Sequence, residues 1–208
     1  MKKLFTILCA AVLTLSVSAQ TQWAATAGFN MANFSGSDAD IFSDKESRIG
    51  IRLGLTFSRE LSDAVTLNSG VLYSVKGVKY KFIWYDSFSG YIVGDSEADY
   101  SVNYIELPVN FAFSLSDQFS LTAGFYSAFL AGTSSTVDGK NYDIGISTDD
   151  FATIDVGLGF GAQVSVSDAI SINAGYQMGL IPLDEDGDSN IKNSNLLIGM
   201  TYNFGGGY

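Results

Sequence analysis

The chain has 208 residues and a formal net charge of −11, with 47% hydrophobic residues, only 16% charged ones and 22 glycines against 2 prolines. That composition excludes a disordered, collagenous or coiled-coil chain. With no histidine and a single cysteine it also excludes His-dependent triads and His or Cys metal sites.

Residues Met1–Ala19 read as an export signal. Lys2 and Lys3 form a positive start, Leu4 to Leu15 an apolar run, and Val17-Ser18-Ala19 a small-residue cleavage site. The apolar run is too short to span a bilayer as a helix. Cys9 lies inside this segment and follows Leu8, which is not the small residue a lipidation site needs. The mature part, from Gln20 to Tyr208, is expected to be one domain without a disulfide or lipid anchor.

From Trp23 onward the apolar period is two. The first series is Trp23, Ala25, Ala27, Phe29, Met31, and the second is Ile49, Ile51, Leu53, Leu55, Phe57. Alternation returns in Val65–Lys81, Ile105–Phe113, Phe119–Ala131, Ala152–Val166, Ile170–Leu180 and Leu196–Phe204. These are eight strands, each with one apolar face. Near Tyr104 the pattern changes parity: Tyr100, Val102 and Tyr104 precede Ile105, Leu107, Val109, Phe111 and Phe113. Either a β-bulge or an extension beyond the membrane accounts for it, and a bulge leaves Pro108 with one lost ladder bond.

Connections alternate in length. Leu61-Ser62-Asp63, Leu115-Ser116-Asp117 and Val166-Ser167-Asp168 are near-copies of one tight turn. Longer polar tips lie near 33–47, 84–99, 133–150 and 183–192. Each holds four acids: Asp38, Asp40, Asp44, Glu46; Asp86, Asp95, Glu97, Asp99; Asp138, Asp143, Asp149, Asp150; Asp184, Glu185, Asp186, Asp188. Only Lys45, Lys140 and Lys192 oppose them there.

A soluble barrel spreads charge over its outer faces. Here the polar strand face is Gly, Ser, Thr, Asn and Gln with few charges: Arg48, Arg52, Lys76, Glu106 and Asp155. This placement favours an all-β, eight-stranded, antiparallel up-and-down transmembrane β-barrel, apolar outside, over a soluble ligand-binding barrel. Trp23, Phe57, Phe113, Phe119, Tyr202 and Phe204 form the expected aromatic girdle at the short-turn side.

Four candidate site residues, Arg52, Lys76, Glu106 and Asp155, occupy the polar faces of four strands. Eight strands enclose a space just wide enough for side chains, so these charges are expected to pair and block the lumen. The alternative is an ion-selective constriction. Arg48 lies nearer the loop end, toward the mouth. Asp184-Glu185-Asp186-Gly187-Asp188-Ser189-Asn190 has oxygen ligands at alternate positions. However, its glycine is misplaced for an EF-hand and Asn195 stands where the bidentate Glu belongs. Gly157-Leu158-Gly159-Phe160-Gly161 is a strand segment that allows close lumen packing, not a phosphate loop. No catalytic grouping emerges, no cofactor is expected, and the acidity disfavours nucleic acid.

The segments Tyr73-Ser74-Val75-Lys76-Gly77, Tyr104-Ile105-Glu106-Leu107-Pro108 and Asp155-Val156-Gly157-Leu158-Gly159, with Lys192-Asn193 through Tyr202-Asn203-Phe204, resemble the landmarks of the PorT-like outer-membrane β-barrel family of Bacteroidota, in order across the mature chain. The resemblance implies an eight-stranded outer-membrane barrel of the porin-like kind. The tail Gly205-Gly206-Gly207-Tyr208 departs from barrels that stop at the terminal aromatic. The expected role is a non-enzymatic scaffold or loop-mediated binding protein with a plugged lumen, the alternative being a narrow porin-like channel. The expected partners are outer-membrane lipid and lipopolysaccharide, the barrel-assembly machinery, and envelope proteins met through the acidic loops.

Overall fold

The computed structural model describes residues 21–39, 45–85, 92–141, 151–184 and 189–204. The expected signal Met1–Ala19 with Cys9, the tail 205–208, and the acids Asp40, Asp44, Asp86, Asp143, Asp149, Asp150, Glu185, Asp186 and Asp188 lie outside the described residues.

The described strands are β1 (Thr21–Ser35), β2 (Lys45–Ser62), β3 (Val65–Tyr85), β4 (Ile92–Ser114), β5 (Phe119–Val137), β6 (Lys140–Asn141), β7 (Ile154–Ser165), β8 (Ile170–Gly179) and β9 (Lys192–Asn203). Eight of them form one antiparallel ring in the order β4-β3-β2-β1-β9-β8-β7-β5, and β4–β5 pairing closes it. Closure removes the unpaired edges of an open sheet. The two-residue β6 folds back on the end of β5 through Asp138-Gly139, both at positive φ, as the two-residue hairpin turn requires.

Around the ring the outward residues are apolar and open. Phe29, Ile49, Leu55, Phe160 and Ile198 are each more than half exposed, Ile49 at 66%. Such a belt is untenable in water and suits lipid. In the girdle, Trp23, Phe113, Phe119, Tyr202 and Phe204 are exposed, but Phe57 is 3% exposed. Its ring lies 5.7 Å from that of Trp23 and not free on the surface.

The ring is taller on one side. Strands β2 to β5 run 18 to 23 residues, whereas β7, β8 and β9 run 10 to 12. Parts of the expected loops 84–99 and 133–150 are therefore strand, and Asp95, Glu97 and Asp99 stand on β4. Their neighbours are Lys79 and Lys81 of β3 and Arg48 of β2, bases that the loop count of charge leaves out. Arg48 binds Asp99 at 2.6 Å, Lys79 binds Glu97 at 2.8 Å, and Lys81 binds Glu46 at 2.8 Å.

The parity change at Tyr104 needs no bulge in β4. Its pairing with β3 is unbroken from Leu72↔Glu106 to Trp84↔Gly94. Ala98, Tyr100, Val102, Tyr104 and Glu106 all point inward and are buried. What inverts is polarity: below Ile105 the greasy face looks out to lipid, and above it the greasy face looks in. That is what a barrel leaving the bilayer requires. The irregularity sits on β5, where Ala131 is the extra residue between Asn103↔Gly132 and Tyr104↔Leu130. Pro108 is accommodated with the Ser69 hydroxyl donating to its carbonyl at 2.8 Å.

A second slip, between Ser47 and Arg52 on β2, sets the face of Arg48. It turns Arg48 to the outside of the rim beside Asp99, so Arg48 does not face the mouth. Gly77 lies on the adjoining stretch of β3 at φ 136°, where a Cβ would meet the Tyr100 carbonyl.

Candidate functional site: the barrel interior

The interior has three levels. At the short-turn end lies a polar cavity of about 890 Å³. It is walled by small side chains such as Thr26, Thr56 and Thr122, with Thr26 Oγ1 3.2 Å from Thr56 Oγ1 and 3.0 Å from Thr201 Oγ1. Arg52 and Gln177 lie at its inner end.

The middle level holds all four candidate charges. Arg52 (β2) donates through Nη2 to Glu106 Oε1 (β4) at 2.7 Å, and Gln177 Nε2 (β8) donates to the same oxygen at 2.9 Å. Lys76 (β3) lies 3.7 Å from Glu106 Oε2 and donates to Asp155 Oδ2 (β7) at 3.1 Å. Asn193 Nδ2 (β9) and the Tyr126 hydroxyl (β5) donate to that Asp155 oxygen at 2.8 and 3.1 Å. The lysine Nζ sits 4.1 Å from the Tyr126 ring centroid and 5.3 Å from that of Tyr104. Side-chain exposure is 0% for Lys76 and Glu106, 1% for Asp155 and 15% for Arg52. Two bases meet two acids, so the septum is neutral, and its hydrogen bonds offset much of the desolvation cost.

Strand parity puts these groups together. Arg52, Lys76, Glu106 and Asp155 are inward members of alternating series, and their ring neighbours supply the rest. Tyr126 pairs with Gly157 across β5–β7, and a Cβ on Gly157 would run into the Tyr126 ring. The glycine makes room for the ring that caps Asp155. Sequence reasoning missed Tyr126, Gln177 and Asn193. All three share parity with inward small residues of their own strands, which was the available signal.

Above the septum the lumen is filled with apolar side chains. Val102, Tyr104, Tyr126 and Ala128 form one buried cluster, and Phe34, Ala39, Val78, Ala98, Tyr100 and Leu183 the next. Short segments fold over them: Ala152 N donates to Leu183 O at 2.6 Å, and Asn190 N to Asp38 Oδ2 at 2.6 Å. Tyr80 and Tyr100 stack with centroids 5.4 Å apart. Of the acidic segment 184–190, which fits an EF-hand poorly and reads as a solvated loop, residues 185–188 lie outside the described residues. Asp184 accepts hydrogen bonds from Ser189 N and Oγ, both at 3.0 Å.

At the outer rim, the Asp138 carboxylate accepts from the Glu97 backbone N–H at 3.0 Å. That bond and one from Ser96 hold it below the ordinary 3.8, with Lys140 adding to the effect. A lowered carboxyl pKa favours the folded hairpin above 3.8, and the gain is lost as pH falls through the lower folded value. The Glu97 amide resonance is therefore expected to titrate below 3.8 and to lose that transition in Asp138→Ala. A Glu97 amide titration left unchanged by Asp138→Ala would contradict the bond.

Residues 18–185 match the outer membrane protein beta-barrel domain family. No curated protein matches the chain. Among solved structures, Neisserial surface protein A is 18% identical with a TM-score of 0.49, the match covering 89% of this chain and 98% of that one. Ail, the attachment invasion locus protein of Yersinia pestis, is 14% identical at TM-score 0.42, over 89% and 99%. OprG from Pseudomonas aeruginosa is 11% identical at TM-score 0.37, over 88% and 95%.

Proposed function

Because this chain belongs to the outer membrane protein beta-barrel domain family and is an outer-membrane protein, we propose that it serves as a non-enzymatic, non-conducting envelope scaffold that binds partners through its outer rim. The observation that carries this reading is the filled upper lumen. A buried ion network, with only Arg52 partly open to the vestibule, and two apolar clusters lie in series along the barrel interior among the described residues. Ion passage would require dismantling both.

The tall side formed by β2 to β5 supplies a binding face. Its ion pairs stand immediately above the lipid belt, next to the headgroups of lipid and lipopolysaccharide, and its rim is open to envelope proteins. The segment Met1–Ala19 acts as the export address, and the chain reaches the membrane through the barrel-assembly machinery. The ordered landmarks from Tyr73 to Phe204 support placing it with the PorT-like barrels of Bacteroidota.

Planar-bilayer recording tests the reading. The reconstituted protein is expected to give no reproducible unitary conductance. Stable steps that change amplitude in Arg52→Ala or Asp155→Ala would promote the narrow channel instead.

A further inference from the structure

Three near-copies of one turn, each carrying serine followed by aspartate, ring the short-turn end. In the second and third the serine makes the turn. Ser116 Oγ accepts from the backbone N–H of Phe119 at 3.1 Å, and Ser167 Oγ from that of Ile170 at 3.2 Å. The aspartates are not needed for it: Asp63, Asp117 and Asp168 have no hydrogen-bond or ion-pair partner among the described residues. All three, with Glu60, line the cavity of about 890 Å³.

The inner end of that cavity carries a second, independent feature. Gln177 is 4% exposed and lines the cavity. Its Nε2 is committed to Glu106, while its Oε1 has no partner among the described residues. The one base lining the cavity, Arg52, is neutralised by Glu106. Arg59, the other base near this end, does not line it. Acceptors therefore stand at both ends of the cavity, with hydroxyls and amides between, and the rim charge is unopposed. Low-dielectric walls focus such a field inward, and the volume falls in the range of small-molecule sites.

We propose that this vestibule, facing the periplasm as short turns of such barrels do, binds small linear organic cations with primary ammonium groups, aliphatic polyamines being the class it fits. One ammonium sits among the rim carboxylates, and a second donates to the wall hydroxyls and amides toward Gln177. The site rests on the closed septum at its inner end and not on any property of the outer rim.

The test uses the full chain in phosphatidylcholine nanodiscs, whose zwitterionic surface does not itself collect polyamines, titrated with spermidine. Calorimetry is expected to show one site. Side-chain amide resonances of Asn110 and Asn173, inside the cavity, are expected to shift. The combined Asp63→Asn, Asp117→Asn, Asp168→Asn variant is expected to weaken binding by about tenfold or more, and raised salt to weaken it further. Each single substitution gives a smaller loss in the same direction, which keeps the test open if the combined variant does not fold. Asp138→Asn, on the outer rim, is expected to change nothing. No heat at millimolar spermidine, affinity unchanged in the aspartate variants, or shifts confined to the outer rim would overturn the proposal. Conductance separately reads whether the septum is closed, so failure of the scaffold reading is distinguishable from failure of this one.

Discussion

Asp155→Ala is expected to lower the unfolding free energy by about 3–5 kcal/mol, the usual cost of stranding one member of a buried ion pair. The substitution strips Lys76, which is fully buried, of its 3.1 Å partner and leaves it only Glu106 Oε2 at 3.7 Å. It also leaves the Tyr126 hydroxyl and the Asn193 amide without their acceptor. Pairing the change with Lys76→Met is expected to recover a large part of the loss, because an apolar pair replaces an orphaned charge. The geometry further specifies the pattern across all four base–acid combinations. Lys76 with Asp155 and Arg52 with Glu106 couple strongly, Lys76 with Glu106 couples weakly, and Arg52 with Asp155 is additive. Double-mutant cycles on urea unfolding in detergent or bilayer read this directly. Near-zero, additive effects throughout would mean that the four groups are separately hydrated and that the septum is not closed.

The second large effect concerns two glycines on one strand. Gly157→Ala is expected to cost about 1–3 kcal/mol, as overpacking of a filled interior does. The new methyl would meet the Tyr126 ring and the Met178 carbonyl, and backbone cannot swing aside as a flexible side-chain tip can. Displacing Tyr126 also removes a donor from Asp155. Gly159→Ala, two residues on and facing the same lumen, is expected to be nearly neutral. There a Cβ would lie 3.7 Å from Asn110 Oδ1 and 3.8 Å from Gln177 Cγ, ordinary contacts. Unfolding midpoints of the two variants in the same detergent settle the comparison. Equal losses would mean that the response reflects glycine flexibility in the strand and not the room Tyr126 needs.

The strand count, the lipid-facing belt and the inward placement of Arg52, Lys76, Glu106 and Asp155 were legible because side-chain period two is a local property. Who pairs with whom was not. Pairing across a barrel depends on how far each strand is staggered against the next, and no single strand carries that information. Arg48 shows the same limit from another side: its parity with Arg52 places it inward until the slip at Ser47 is known. Asp95, Glu97 and Asp99 look like loop residues because strands near a membrane are expected to be greasy. Their cross-strand bases become meaningful only once β3 and β4 are seen to continue past the bilayer. Tyr126 was hidden by Phe125, its outward neighbour. Two adjacent aromatics leave the face of each undecided until the opposing Gly157 is known.

A cylinder has no front or back in the plane of a membrane, but this barrel does. Its taller strands raise a charged palisade over one arc of the rim, while the arc of β7, β8 and β9 ends closer to the lipid. Among the described strands, a neighbour diffusing in the same leaflet meets long charged extensions from one direction and shorter strands from the other. Close lateral packing is therefore directional, and crowding biases which flank of the molecule its neighbours occupy.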